Sequence, residues 1–71
     1  MIDLRSKEFE IMCFVQDTRV QTGSCSYQKL VETFGEKAVR KCMYEHKIIF
    51  ENKNENKGME WTRRGRENMG I

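Results

Sequence analysis

The chain has 71 residues, 34% of them charged, with a formal net charge of +2, three cysteines and no proline. Its longest apolar run, 11–15, is far shorter than the roughly 20 residues of a membrane-spanning helix, so we expect no membrane segment. The cysteines match neither a disulfide framework nor a paired zinc motif, and the amino terminus does not resemble a signal peptide. We therefore expect a single cytoplasmic domain over residues 1–71.

The first predicted helix spans about residues 6–19 and begins at Ser6, whose hydroxyl can cap a helix. Its apolar side chains cover most of its circumference, and Phe14 points away from the others. The side chains on or next to one side are Leu4, Phe9, Ile11, Met12, Cys13 and Val15. Because a chain of 71 residues offers little material to cover such a helix, we expect a homodimer through helix one.

Two shorter helices follow. The second is predicted over about residues 26–34, capped by Ser26 and ended by Gly35, because glycine tolerates a positive φ. The third is predicted over about residues 36–46, with an apolar stripe on one side. Its other face carries three cations and one aromatic within about 100° of one another. These residues are Lys37, Arg40, Lys41 and Tyr44, with Glu36 and Glu45 at their flanks.

After Lys47 the pattern changes from helix to strand. The runs 48–50 and 59–62 are rich in apolar, β-branched and aromatic residues, and the segment between them is polar and contains asparagines and Gly58. This pattern predicts an antiparallel hairpin over about residues 48–62, with Lys53 and Lys57 at its tip and a further helical turn starting near Thr62. The predicted fold class is α+β, three helices followed by a two-stranded C-terminal hairpin.

This order of elements and four local phrases resemble the winged-helix branch of helix-turn-helix proteins, as in small bacterial or phage transcription regulators, over roughly residues 4–67. The phrases are similar to the first helix, the second helix, the recognition helix with its exit, and the end of the hairpin. In order they are LRSKEFEIMCFV, SYQKLVETFG, AVRKCMYEHKII and MEWTRRGRE. Trp61, Thr62 and Gly65 occupy the family's aromatic, threonine and glycine positions, whereas Lys47 stands where the family often has a glycine.

The resemblance implies a DNA-binding transcription regulator, with helix three in the major groove of duplex DNA and the hairpin, or wing, on the backbone. Arg40 is the candidate for reading bases, because arginine pairs bidentately with guanine whereas lysine mostly neutralises phosphate. The implied DNA-binding residues are Lys37, Arg40, Lys41, Tyr44, Lys53, Lys57, Arg63 and Arg64. Families with extra helices dimerise through them, so a dimer of this chain would use the core elements.

Other interpretations stay open, because the excess of basic over acidic residues in the second half of the chain is small. Residues 1–35 hold four basic and five acidic side chains, and residues 36–71 hold nine basic and six acidic ones. The helix-three face could be an ordinary solvated surface. One alternative is a winged-helix protein-interaction module, for example a phage or mobile-element protein that inhibits a host protein through the Phe14 side of helix one or the wing. Another alternative is RNA binding.

The sequence shows no arrangement that predicts catalysis. We find no nucleophile beside a base, no paired carboxylates in an apolar setting, no glycine-rich phosphate loop and no metal-ligand spacing. We therefore expect no enzyme activity, no metal and no cofactor. The lone His46 and the strand residue Trp61 are expected to pack in the core. Cys13 and Cys42 are expected on apolar helix faces, and Cys25 in a loop where it could be exposed.

Overall fold

The computed structural model describes residues 6–54 and 57–70. The elements in this part of the chain are α1 (Lys7–Thr22), α2 (Tyr27–Phe34), α3 (Glu36–Arg40), a π-helical turn (Lys41–Glu45), β1 (Ile49–Asn52), β2 (Gly58–Trp61) and α4 (Arg63–Asn68). This is the α+β class that the sequence predicts, with helices followed by an antiparallel hairpin. Leu4, expected beside the apolar side of helix one, lies outside the described residues.

The first helix begins where the sequence predicts but ends later. The Ser6 hydroxyl accepts a hydrogen bond from the Phe9 N–H, at 3.2 Å, and so caps the helix. The helix runs past the expected end near residue 19 and stops at Gly23. Gly23 has a φ of 91°, and its N–H donates to the Arg19 carbonyl at 2.9 Å. Glycine adopts this left-handed conformation without a Cβ clash, which explains why the helix ends there.

The third helix is not the continuous α-helix over 36–46 that the sequence predicts. α3 ends at Arg40, and in the π-helical turn that follows the His46 N–H donates to the Lys41 carbonyl, at 3.0 Å. A π turn accommodates one residue more than an α turn, and an apolar stripe counted at 3.6 residues per turn does not reveal it. The name helix three is kept below for residues 36–45.

The exit from helix three depends on a strained residue. Lys47 has a φ of 56° and is the only non-glycine residue in 6–54 and 57–70 with a positive φ. The next N–H, of Ile48, donates to the Cys42 carbonyl at 3.0 Å, one residue further back than in a Schellman motif. A left-handed conformation costs an L-residue about 1–2 kcal/mol, so Lys47 occupies this position at a cost that glycine would avoid.

One apolar core lies between the helices and the hairpin. Its buried residues are Ile11, Met12, Val15, Cys25, Leu30, Val39, Cys42, Ile48, Ile49 and Met59. Phe14, expected to point away from the apolar side, packs edge-on against Phe34 with ring centroids 5.4 Å apart. The chain therefore covers most of the apolar surface of α1 itself, and within Lys7–Thr22 the large apolar side chain that stays exposed is Val20, at 74%.

Cys25 is fully buried, so the expectation that this loop cysteine could be exposed was wrong. It forms a single parallel bridge with Gly58, and its carbonyl accepts a hydrogen bond from the Met59 N–H at 2.6 Å. Gly58 has a φ of 74°, and a Cβ at this position would overlap the Cys25 backbone. The loop between α1 and α2 thus lies against β2, a contact distant in sequence that the local polar composition does not indicate.

The hairpin pairs Ile49 with Trp61 and Asn52 with Gly58 in antiparallel register. Its inner side chains join the core, and the Trp61 Nε1–H donates to the Met12 carbonyl at 2.9 Å, which fixes β2 against α1. The packing expected for Trp61 is thereby confirmed. On the outer face, Phe50 is 41% exposed.

Thr62 joins the exit of helix three, the hairpin and α4. Its hydroxyl donates to the Lys47 carbonyl at 2.6 Å and accepts from the Gly65 N–H at 3.0 Å, so that it also caps α4. Its N–H donates to the Ile48 carbonyl at 3.0 Å. Gly65 is buried directly against this carbonyl, and a Cβ there would overlap the Ile48 oxygen and lie 2.8 Å from Met12 Cε.

Gly65→Ala tests this close packing. Alanine normally stabilises a helix relative to glycine by about 1 kcal/mol, but here the added methyl group would force α4 away from Ile48. We expect a loss of about 1–3 kcal/mol in the free energy of unfolding, measured by urea denaturation. Arg66→Ala, at the exposed next position, should change it by less than about 0.5 kcal/mol. A variant as stable as the wild type would contradict the packing.

Lys47→Gly tests the strain at the helix-three exit. Glycine removes the cost of the left-handed conformation, about 1–2 kcal/mol. Because glycine also has more conformational freedom in the unfolded chain, it lowers the free energy of unfolding by about 0.4–1 kcal/mol. We expect a net stabilisation of about 0.5–1 kcal/mol in urea denaturation. Lys47→Ala, which removes the charge but keeps the Cβ, should not stabilise. Equal effects of the two substitutions would mean that charge, not backbone conformation, sets the cost.

Candidate nucleic-acid interface

The four residues predicted on the outer face of helix three are all exposed in the structure. They are Lys37, Arg40, Lys41 and Tyr44. The guanidinium carbon of Arg40 lies 5.4 Å from the centroid of the Tyr44 ring, within the range of a cation–π interaction, and Tyr44 is 63% exposed. An exposed aromatic ring beside an arginine gives this face both a positive charge and a flat apolar surface.

Glu36, predicted only at the flank of this face, also contacts it. Its Oε1 lies 3.5 Å from Nη1 of Arg40, one helical turn later, and the two side chains are 62% and 57% exposed. Such surface ion pairs contribute about 0.2–1 kcal/mol, so Arg40 can exchange this partner for a ligand at little cost. In the free protein Arg40 therefore lies between a carboxylate and an aromatic ring. The i, i+4 spacing of Glu36 and Arg40 is the signal in the sequence that indicates the pair.

The wing residues Lys53 and Lys57 are exposed on the two sides of the hairpin tip. Asn52 shapes this tip, because its Oδ1 accepts a hydrogen bond from the Asn54 N–H at 3.0 Å. The Lys57 N–H donates to the Asn54 carbonyl at 3.3 Å. These bonds define the backbone of the described part of the tip, where both lysines are exposed.

A series of polar side-chain contacts outside the predicted site fixes the hairpin to α1. The Asn52 Nδ2–H donates to Glu60 Oε2 at 2.6 Å, and Glu60 Oε1 lies 3.1 Å from Nη2 of Arg19. Both charged side chains are at least two-thirds buried, at 33% exposure for Arg19 and 19% for Glu60. Glu60 therefore neutralises Arg19, and neither contributes to the positive surface of the wing.

Arg63 and Arg64 are exposed on α4, directly after the hairpin. Arg63 Nε lies 3.3 Å from Glu67 Oε1, with side-chain exposures of 89% and 65%. The structure thus brings Arg40 and Tyr44 into contact on helix three, whereas the other predicted arginines lie on a separate element. Among the predicted cations of the described chain, Arg40 and Arg63 each have an acidic partner four residues away.

His46 connects the end of helix three to the start of α1. It is half-buried, and its Nε2 lies 3.1 Å from Glu8 Oε1 without hydrogen-bond geometry. The pKa of Glu8 is lowered, first by a hydrogen bond from its own backbone amide and then by the Ser6 hydroxyl and the charges of His46 and Lys41, while burial acts in the opposite direction. His46 therefore packs against α1 as a polar contact at the edge of the core.

No protein-family model, curated protein or solved structure matches this chain, so the candidate interface rests on its own geometry. Within 6–54 and 57–70, no helix has the length and apolar character needed to cross a membrane. The same residues include no group of three or more His, Cys, Asp or Glu side chains arranged to hold a metal ion.

Glu8→Gln tests the link between α1 and helix three through its pH dependence. A carboxyl group with a lowered folded-state pKa adds stability above its ordinary pKa, and this stability is lost as the pH falls through the lowered value. We expect Glu8→Gln to destabilise the protein at pH 7 in urea denaturation and to have a smaller effect near pH 3, because the stability from the lowered pKa is progressively lost as the pH falls below the ordinary carboxyl pKa. Glu10→Gln, an exposed acid in the same helical turn, controls for net charge. A difference from wild type that is equal at both pH values would contradict the stabilisation of the Glu8 carboxylate.

Proposed function

We propose that the chain is a winged-helix DNA-binding domain that acts as a transcription regulator, with helix three in the major groove and the hairpin on the backbone. The observation that carries the proposal is the exposed face of helix three, where the Arg40 guanidinium lies 5.4 Å from the Tyr44 ring centroid and Lys37 and Lys41 are also exposed. A helix fits the major groove, which is about 12 Å wide, and the order of helices and hairpin agrees with the resemblance in the sequence.

The residue types suit two kinds of contact at the groove, one with bases and one with phosphates. Arg40 can pair with the O6 and N7 acceptors of guanine, while Lys37 and Lys41 can neutralise phosphates on either side. The cation–π contact with Tyr44 would favour one orientation of the Arg40 side chain and so lower the entropy lost on binding. The remaining phosphate contacts in this proposal come from Lys53 and Lys57 on the wing and Arg63 and Arg64 on α4.

The proposal involves no chemical step and no cofactor. An activated cysteine needs a lowered pKa, but burial raises the pKa of the Cys13 and Cys25 thiols and raises that of Cys42 to about 11. All three cysteines lie in the described chain as free thiols, in agreement with the cytoplasmic location that we propose. The side chains of the interface would act by binding alone.

A protein-interaction module is the second candidate, because Phe50 is exposed on the outer face of β1. The Phe14 side of helix one, predicted as such a surface, instead packs against Phe34. Phe50 and the wing would therefore carry this function. The Glu36 carboxylate beside Arg40 also offsets part of the positive charge of helix three, which favours this alternative. A homodimer through α1 stays a prediction and would be centred on Val20.

The test is binding of the purified protein to mixed-sequence duplex DNA at about 50 mM and about 200 mM salt. We expect affinity that falls steeply with salt, because phosphate contacts release counterions. Arg40→Ala/Lys41→Ala should weaken binding at least about tenfold at the lower salt and reduce the salt slope by nearly two, since two cations are lost.

The matched control is Lys7→Ala/Arg66→Ala, which removes the same charge from α1 and α4 at exposed positions. Its effect should be clearly smaller than that of the helix-three variant. Equal losses would mean that the protein attracts DNA through its overall charge. Absence of binding at the lower salt would exclude the DNA proposal and favour the protein-interaction module, and stronger binding to duplex RNA than to DNA would favour the RNA alternative.

A further inference from the structure

Glu36, Arg40 and Tyr44 form a column along the exposed side of helix three. They are spaced four residues apart, with the carboxylate 3.5 Å from the guanidinium and the guanidinium 5.4 Å from the ring centroid. Each side chain is more than half exposed. Glu36 is the first residue of α3, at the end of the helix whose side chains reach base edges when a recognition helix enters the major groove.

We propose that Glu36 is a specificity-determining residue, which accepts a hydrogen bond from the N4 amino group of a cytosine while Arg40 binds a neighbouring guanine. The target class is then duplex DNA with G·C base pairs beneath the start of helix three. This inference rests on the proposed DNA-binding function and deepens it.

The chemistry of the carboxylate determines the base. A carboxylate only accepts hydrogen bonds, and in the major groove the donors are the amino groups of cytosine and adenine. Adenine carries the N7 acceptor beside its amino group, whereas cytosine itself carries only the amino donor on its major-groove edge, and the acceptors of that base pair belong to its guanine. Glu36 is therefore matched to cytosine in the way that Arg40 is matched to the two acceptors of guanine.

The ion pair between Glu36 and Arg40 makes the protein discriminate between DNA sites with and without the matching cytosine. When Arg40 binds a base, its ion pair with Glu36 breaks. The Glu36 carboxylate then lies near the DNA phosphates without a partner, unless a base donates a hydrogen bond to it. A sequence without cytosine at that place leaves an unpaired negative charge in the groove, which is a repulsive element against wrong sites. Glu36 should therefore lower the affinity for DNA in general and raise the preference for its own site.

The chain contains a matched control for this effect. Arg63 and Glu67 on α4 form an ion pair with the same i, i+4 spacing, at 3.3 Å, and both are exposed. Glu67→Gln removes the same charge as Glu36→Gln, from a helix other than helix three. Both substitutions should raise affinity for mixed-sequence DNA, since each removes a negative charge from a protein that binds phosphate.

The experiment selects bound duplexes from a random-sequence pool at about 50 mM salt, using the full chain as wild type, Glu36→Gln and Glu67→Gln. The best wild-type site is then compared with a copy whose G·C pairs are replaced by A·T. We expect the preference for the first site to fall at least about fivefold in Glu36→Gln and to be unchanged in Glu67→Gln. Circular dichroism of each variant checks that the helices are retained.

The outcomes separate this inference from the function on which it rests. A preference reduced in Glu36→Gln but not in Glu67→Gln, with affinity for mixed DNA maintained or raised, supports a base-reading Glu36. Binding with an unchanged preference in Glu36→Gln overturns the inference and leaves the DNA-binding proposal intact, since a carboxylate that only stabilises the helix start would not alter selection. Wild-type binding without a G·C preference also overturns it, and no binding of any duplex overturns both proposals.

Discussion

The Thr62 hydroxyl lies between the exit of helix three and the start of α4, and both depend on it. It donates to the Lys47 carbonyl and accepts from the Gly65 N–H, while the Thr62 amide pairs with the Ile48 carbonyl. Because Lys47 and Ile48 leave helix three and Thr62 follows β2, this small group of bonds closes the hairpin at its base. Gly65 allows α4 to pack against the same carbonyl, since no side chain intervenes.

The direction of helix three follows from this constraint. The π-helical turn and the left-handed Lys47 turn the chain from the helix into β1, and the contact between His46 and Glu8 holds the end of the helix against α1. Trp61 fixes the opposite strand to α1 through the Met12 carbonyl. With its apolar side buried in the core, helix three presents its charged side to solvent, and the candidate interface is a consequence of how the core is closed.

The sequence was sufficient to predict the order of helices and hairpin and the exposed residues of helix three, because these follow from local periodicity, capping residues or turn residues. The burial of Cys25 was missed because it results from pairing with Gly58, a residue distant in sequence. The π turn was missed because apolar periodicity does not distinguish 3.6 from a longer local repeat. The pairing of Arg40 with Glu36 was open to prediction from their spacing, but the choice among several possible partners required coordinates.

The most direct test of the central claim is to map the amide chemical shifts of the nitrogen-labelled protein during titration with a short mixed-sequence duplex. We predict that the largest changes fall on residues 36–45 and on the wing residues Lys53 and Lys57, and that they diminish as salt is added. Changes confined to Phe50, Val20 and their neighbours, or no changes at low salt, would contradict an interface on helix three.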